Sequence, residues 1–324
     1  MEKVDWQSPL PPLEKVTGTF KVHNGNSSFH IQKANYKSQP LTNLTGTIDN
    51  FLIHPVANLS LVNIVDMTQI HLSLKKIFKG DPIHDALSMY SNFKGAANLR
   101  LNVKGPLEDL KKLTVEGEIT FQSVSLEEKS FKSRIENLNG KIIYKHNPEI
   151  AQRISEPWVG ILQYKNLSGN FSNSKFTNLN GELGYRNGEL MKRATVLYHL
   201  DYSDLHLLME EDSNGKVLEL QEGLNFNSGS VLIKYRFEQN PEKPETEKEW
   251  GEVELKTLSI KYQDRFRGLK DLKGKIYYDE EKIRIENVAG QYGDSSLFLE
   301  GEIDRKNLSN PEISLHLKFP GLLK

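Results

Sequence analysis

The chain has 324 residues, 37% hydrophobic and 26% charged, with a formal net charge of −1 and no cysteine. Near-neutral charge gives bulk electrostatics no hold on nucleic acid, and the lack of cysteine excludes a disulfide framework and thiolate chemistry. So lean a hydrophobic content predicts a thin or elongated architecture with much exposed surface, sized for one large or two ordinary domains.

Residues 1–15 form a proline-rich lead-in without an apolar signal region, and nowhere does the chain reach the ~18 consecutive apolar residues of a membrane span. Over 16–60 apolar and polar residues alternate, as in Phe20/Val22 and Phe29/Ile31, which predicts strands with one apolar face. Turn signals stand at Asn24-Gly25-Asn26 and Ser38-Gln39-Pro40.

Residues 61–94 break the pattern and read as a helical insertion. Ile64, Met67, Ile70, Leu74, Ile77 and Phe78 recur at three- and four-residue spacing, which predicts a helix over 64–78. Lys75, Lys76, Lys79 and then Gly80 are stop signals. Asp81-Pro82 opens a second, short helix over 82–91, with Ile83, Ala86, Leu87 and Tyr90 as its stripe. Both stripes are expected to lie against the sheet or across the mouth of a groove.

Strand grammar returns over 95–239, beginning with Leu99, Leu101 and Val103 and the turn Gly105-Pro106-Leu107. The segment then carries the feature that organises the whole chain. Residues 117–144, GEITFQSVSLEEKSFKSRIENLNGKIIY, recur without a gap 134 residues later at 251–278, GEVELKTLSIKYQDRFRGLKDLKGKIYY, with eight of 28 positions identical. Each copy opens with an alternating strand, Ile119/Phe121 and Val253/Leu255. The phase then slips by one, to Val124/Leu126 and Leu258/Ile260, which predicts a bulge or bend.

A charged connection follows in each copy, then the signature Leu-x-Gly-x-Ile-x-Tyr, at Leu138–Tyr144 and Leu272–Tyr278; glycine inside a strand marks a bend or a close backbone approach. Weaker copies surround Gly18, Gly46, Gly181 and Gly301, so a unit of about two strands is reused and neighbouring units share one apolar face. Residues 145–165 are less regular. Strands are then expected up to Tyr185 and over 196–202, 205–209, 217–220 and 231–237. The charged, proline-bearing stretch 240–250 reads as a solvated loop and an internal boundary. The second repeat fills 251–324, with further strands at Ile283/Ile285, Leu297/Leu299 and Ile313/Leu315/Leu317.

No catalytic signature emerges. The nine histidines are scattered, and His199 and His206, the closest pair, have no ligand set beside them. Glu210-Glu211-Asp212 runs into a turn and reads as a hairpin tip, not a carboxylate pair; Gly290-Gln291-Tyr292-Gly293 is too short for a dinucleotide fingerprint. The chain is therefore read as no enzyme, with no cofactor and no metal. Alternation alone leaves two architectures open: a sandwich or solenoid whose apolar faces fill each other, and a gutter whose concave face stays open to a greasy ligand.

The repeated Leu-x-Gly-x-Ile-x-Tyr, the Val103–Leu107 turn, the strand start Val115–Ile119 and the run Ile285–Gly293 resemble the AsmA-like family of Gram-negative bacteria (AsmA, TamB and YhdP), most closely the C-terminal part of its YhdP-like members. The resemblance covers most of the chain, thinly over 145–250. It implies a repeating β-groove in the periplasm, part of a longer protein anchored in the inner membrane by a segment outside this one. It also implies carriage of phospholipid to the outer membrane. The candidate lining residues are then Phe20 and Ile31, Leu99 and Leu101, Ile119 and Phe121, Ile142 and Tyr144, Val253 and Leu255, Ile276 and Tyr278, Ile283 and Ile285, Leu297 and Leu299, and Leu315 and Leu317. The implied partners are phospholipid acyl chains, membranes reached through other regions, and envelope proteins at the ends, with no nucleic acid. The alternative is a β-rich envelope scaffold that binds proteins through its sheet edges.

Overall fold

The structure is a computed structural model that describes residues 3–4, 13–36, 39–77, 82–109, 112–128, 133–146, 148, 160–186, 189–208, 224–240, 242–262, 267–305 and 312–320. The chain is mostly β, as the alternation predicts. Its strands belong to one antiparallel sheet that is not closed into a barrel, interrupted by a short helical insertion. By internal contacts it divides into two compact units, Met1–Leu167 with Gly181–Lys192, and Ser168–Asn180 with Arg193–Lys324.

The first unit begins with β1 (Lys3–Val4), which pairs with the start of β2 (Leu13–His23). A meander of β3 (Asn26–Tyr36), β4 (Gln39–Asp49) and β5 (Val56–Asp66) follows. The insertion consists of α1 (Met67–Ile77) and α2 (Pro82–Ser88). It leads into β6 (Tyr90–Lys94) and β7 (Ala96–Pro106). β7 returns to pair with β5 along its whole length, Val56 opposite Pro106 and Asp66 opposite Ala96. β8 (Thr114–Glu128) is long enough to pair with both β7 and β6, and β9 (Ser133–His146) closes the first full repeat against it.

Three strands contribute residues to both units: β10 (Gly160–Phe171), β11 (Ser174–Arg186) and β12 (Glu189–Asp201). In the second unit a 3-10 turn, Tyr202–Leu208, precedes β13 (Leu224–Asn240) and β14 (Lys243–Tyr262). β15 (Leu269–Tyr278), β16 (Lys282–Tyr292), β17 (Ser295–Asp304) and β18 (Ile313–Lys318) continue the meander.

The expected phase slip is present in both repeats. The β8–β9 register shifts between Phe121 and Val124, and the β14–β15 register between Lys256 and Leu258. At the slip, Ser123 (φ 56°) and its repeat counterpart Thr257 (φ 60°) are left-handed. Asn137 and Asp271, also 134 residues apart, do the same on the partner strands. Each left-handed residue lets the strand turn without losing its apolar phase, because the extra residue is absorbed and the next side chain stays on the same face.

Four expectations are corrected. The first helix starts at Met67, not 64, since Ile64 and Val65 are ladder residues opposite Asn98 and Ala97, and Asp66 caps the helix by accepting the Gln69 N–H at 3.1 Å. The second ends at Ser88, and Tyr90 belongs to a strand opposite Glu128. The stretch 240–250 is no loop: Asn240 of β13 pairs with Lys243, the first residue of β14, whose Lys248 and Glu249 face Glu238 and Phe237. The charged side chains of Lys243, Glu245, Glu247 and Lys248 are exposed, so polar residues are tolerated on this part of the ladder. Residues 205–208 form the 3-10 turn, not a strand. The expected strand over 217–220, Phe78 and Asp81 lie outside the described residues.

Candidate functional site

Register decides which side chains share a face, because residues opposite one another in a ladder point to the same side. In the first unit Phe20 faces Phe29, and Ile31 faces Leu44, which faces Leu61, which faces Leu101. Leu99 faces Ile119, and Ile119 faces Ile142; Phe121 lies beside Gly140 and Tyr144 beside Gly117. The eight candidate residues of this unit therefore occupy one face. In the second unit Val253 faces Ile276, which faces Ile285, and Tyr278 faces Ile283. Leu255 lies beside Gly274, Leu299 faces Leu317, and Gly301 faces Leu315. With Leu297 two residues from Leu299 on the same strand, the ten candidates of this unit also share one face.

The opposite face is polar for the most part, with Val62, Ile64 and Ile143 among the exceptions. Lys141 pairs with Glu118 at 3.0 Å, and the same pair recurs in the second repeat as Lys275 and Glu252 at 2.6 Å. The Lys141 ammonium, as hydrogen-bond donor first, holds the Glu118 carboxyl below the usual range. Such exposed pairs contribute roughly 0–1 kcal/mol each and serve mainly to keep this side wet.

Burial divides the apolar face into bands. Beside the bulge row it is filled by its own side chains: Phe121, Val124, Leu126 and Leu138 in the first unit, and Leu255, Leu258, Leu272, Val288 and Leu297 in the second, are buried. Bulges raise the local twist, and the buried row runs along the register shifts of β8–β9 and β14–β15. Away from that row Leu99, Leu101, Ile119, Ile142 and Tyr144, and in the second unit Val253, Ile276, Tyr278, Ile283, Ile285 and Leu299, are only half-buried. Ile31 is half-buried too. Phe20 is 65% exposed, and Leu315 and Leu317 on β18 are 39% and 54% exposed.

The insertion sits at the filled end of the first unit's face. Met67 and His71 of α1 are buried, the His71 ring lies 4.5 Å from that of Phe93 on β6, and the Thr68 hydroxyl donates to the Phe93 carbonyl at 2.7 Å. The His71 Nε2 is 2.9 Å from the Leu87 carbonyl oxygen, tying α1 to α2. β6 pairs with β8 at Ser125–Glu128, past the bulge, so α1, which packs on β6, sits beside the closed part of the face.

In the second unit the face also carries polar groups at one end. Tyr278 lies flat on Gly251, whose missing side chain makes the room: an added Cβ would stand 2.1 Å from the ring. Burial, then Glu249, push the Tyr278 phenol up to about 12. The Tyr235 hydroxyl donates to Glu249 at 3.4 Å, and Arg305 reaches the same carboxylate at 3.4 Å and the Asp279 carbonyl at 2.7 Å.

Among the described residues no three of His, Asp and Glu gather as a metal-binding group, and no helix is long and apolar enough to cross a membrane. Comparison with protein-family models, with curated proteins and with solved structures finds no match for this chain.

Proposed function

We propose that the half-buried apolar band of each unit holds lipid acyl chains. On this reading the chain is a non-enzymatic segment of a bridge that carries phospholipid between the inner and outer membranes of a Gram-negative envelope. The observation that carries the reading is the pairing of one apolar face, left half-open away from the bulge row, with an opposite face lined by ion pairs. Exposing an acyl chain to water costs ~0.8 kcal/mol per CH₂, so an apolar trough lowers the barrier to crossing an aqueous space and needs no specific polar contact. The periplasmic setting and an anchor outside this segment follow from the family resemblance of the repeat residues.

The test places a photo-crosslinking residue at Ile119 or Ile276 and looks for phospholipid adducts, beside native mass spectrometry of the purified chain. A charge at a half-buried position, Ile142→Asp, is expected to leave the ladder folded while reducing adducts at Ile119. Phe121→Asp serves as the contrast: that side chain is 4% exposed, so the charge enters the protein's own packing and the chain melts well below the parent. No adduct at either position and no co-purifying lipid would overturn the reading.

One observation favours a second reading, a scaffold joined through sheet edges. β18 is exposed along its whole length, and among the described residues it pairs only with β17. Such an edge accepts a partner strand. Crosslinks from Leu317 to protein, with none to lipid anywhere on the face, would favour it.

A further inference from the structure

The second unit holds a cavity of about 500 Å³ that the apolar face does not explain. Its walls come from the β10–β11 hairpin, the end of β12, and the middle of β13 and β14. Lys256 stands opposite Ser230 in the β13–β14 register, one residue on from Leu255, and so points to the polar side of the sheet. Lys175 and His199 line the same space, with Asn170, Ser172 and Ser230 and the apolar Leu200, Val231 and Leu232.

The rim of this cavity is fixed by the chain itself. Ser172 at the hairpin is left-handed, with φ 50°. The buried Asp204 carboxylate accepts the Asn173 N–H at 2.9 Å and the Ser174 hydroxyl at 2.6 Å, and the Asp201 N–H donates to the Ser174 oxygen at 2.9 Å. A concave site already in place before a ligand arrives spares the ligand the cost of ordering it.

The charges inside are unevenly matched. Among the described residues Lys175 has no carboxylate within ion-pair distance. Lys256 has Glu254, at 3.7 Å, a loose and half-exposed pair. The carboxylate of Asp201 also lines the cavity, but it already accepts the Ser203 N–H at 3.0 Å and the Ser203 hydroxyl at 2.6 Å. Burial first, and then the ammonium groups of Lys175 and Lys256, hold the His199 ring below its ordinary titration range, so both lysines act on the space in front of that ring. Two exposed lysines, a half-buried imidazole and several neutral donor residues line one open concavity, a lining that suits a bound anion.

We infer that this cavity is a binding site for a phosphate group, held by Lys175 and Lys256 with His199, Ser172 and Ser230 as further donors. A phosphate offers three or more acceptor oxygens to this ring of donors. The group can come from a lipid headgroup or from free phosphate, and the site does not depend on the acyl-chain reading.

The experiment follows the His199 ring resonances by NMR at constant ionic strength and pH. One arm titrates inorganic phosphate, a second a dihexanoyl phosphatidylglycerol below its micelle concentration, and a third dihexanoylglycerol, which lacks the phosphate. Saturable shifts with inorganic phosphate identify a free-phosphate site. Saturable shifts with the phospholipid alone identify a headgroup site. In either case Lys175→Gln with Lys256→Gln should weaken binding at least about tenfold, as expected when charge-assisted bonds are lost. Circular dichroism checks that the double variant stays folded, and Lys234→Gln is a control on another strand position expected to bind like the parent. No saturable shift in the first two arms, equal shifts with the phosphate-free lipid, or a folded double variant that binds like the parent would each overturn the inference. None of these outcomes touches crosslinking on the apolar face, so the two readings fail separately.

Discussion

At the residue scale the fold depends on backbone conformations that side chains resist. Thr257 is β-branched yet left-handed, a state that costs of order 1–3 kcal/mol. Its repeat counterpart is the unbranched Ser123, and most other left-handed non-glycine residues of the sheet are asparagine. Thr257→Asn should therefore raise stability by about 1 kcal/mol, read as a shift of the urea midpoint with an unchanged slope. Gly274 shows the opposite constraint. With φ 148° and an added Cβ only 2.6 Å from the Asn287 carbonyl oxygen, Gly274→Ala forces β15 and β16 apart. We expect a loss of roughly 2–3 kcal/mol in the same measurement.

Asp279 supplies a pH signature. Its carboxylate accepts the Lys282 N–H at 2.8 Å and the Glu281 N–H at 2.9 Å at the β15–β16 turn, and these bonds hold it below the usual carboxylate range. A depressed folded value means that the unfolded chain binds the proton more readily. The contribution is thus present above the ordinary carboxylate range and is lost as pH falls through the lower, folded value. Asp279→Asn should remove that part of the acid dependence in denaturation curves taken between neutral and acidic pH.

At the element scale the helical insertion is a cap on one end of a face, and its two sides behave differently. Met67 is 3% exposed and Leu72 is 58% exposed, five residues apart on one helix. Met67→Ala should cost about 2–5 kcal/mol, while Leu72→Ser should stay within about 0.5 kcal/mol. Equal effects at both positions would show that α1 does not dock as described. The three/four spacing made the helix legible; its start was not, because Ile64 and Val65 satisfy a helical stripe and a strand ladder alike. What settled the boundary was the return of β7, which offers those residues a backbone partner.

At the scale of the whole molecule, an antiparallel sheet that is not closed has edges, and edges seek strands. On β18, which among the described residues pairs with β17 alone, the exposed Ile313, Leu315 and Leu317 add apolar surface to that edge. We expect the isolated chain to self-associate with concentration in analytical ultracentrifugation. Leu315→Lys with Leu317→Lys should reduce that association, since charged side chains on an edge strand discourage a second chain from pairing. Association unchanged by the double substitution would move the contact elsewhere.

The repeat, the alternating strands and their shared apolar face are all legible in the order of residues. Alternation with period two is a local property, and the slip at Val124 and Leu258 is visible as a change of phase within a few residues. The order of residues also located the insertion to within a few residues. How far that face is filled depends on three-dimensional packing. Phe121 and Ile119 have the same pattern in sequence, yet one is enclosed and the other half-open, because enclosure depends on which side chains from other strands reach each position and not on period-two alternation. The cationic cavity was equally hidden. Lys175 and His199 lie on consecutive strands, but Lys256 lies on β14, more than fifty residues further on, and only the fold brings the three to one space.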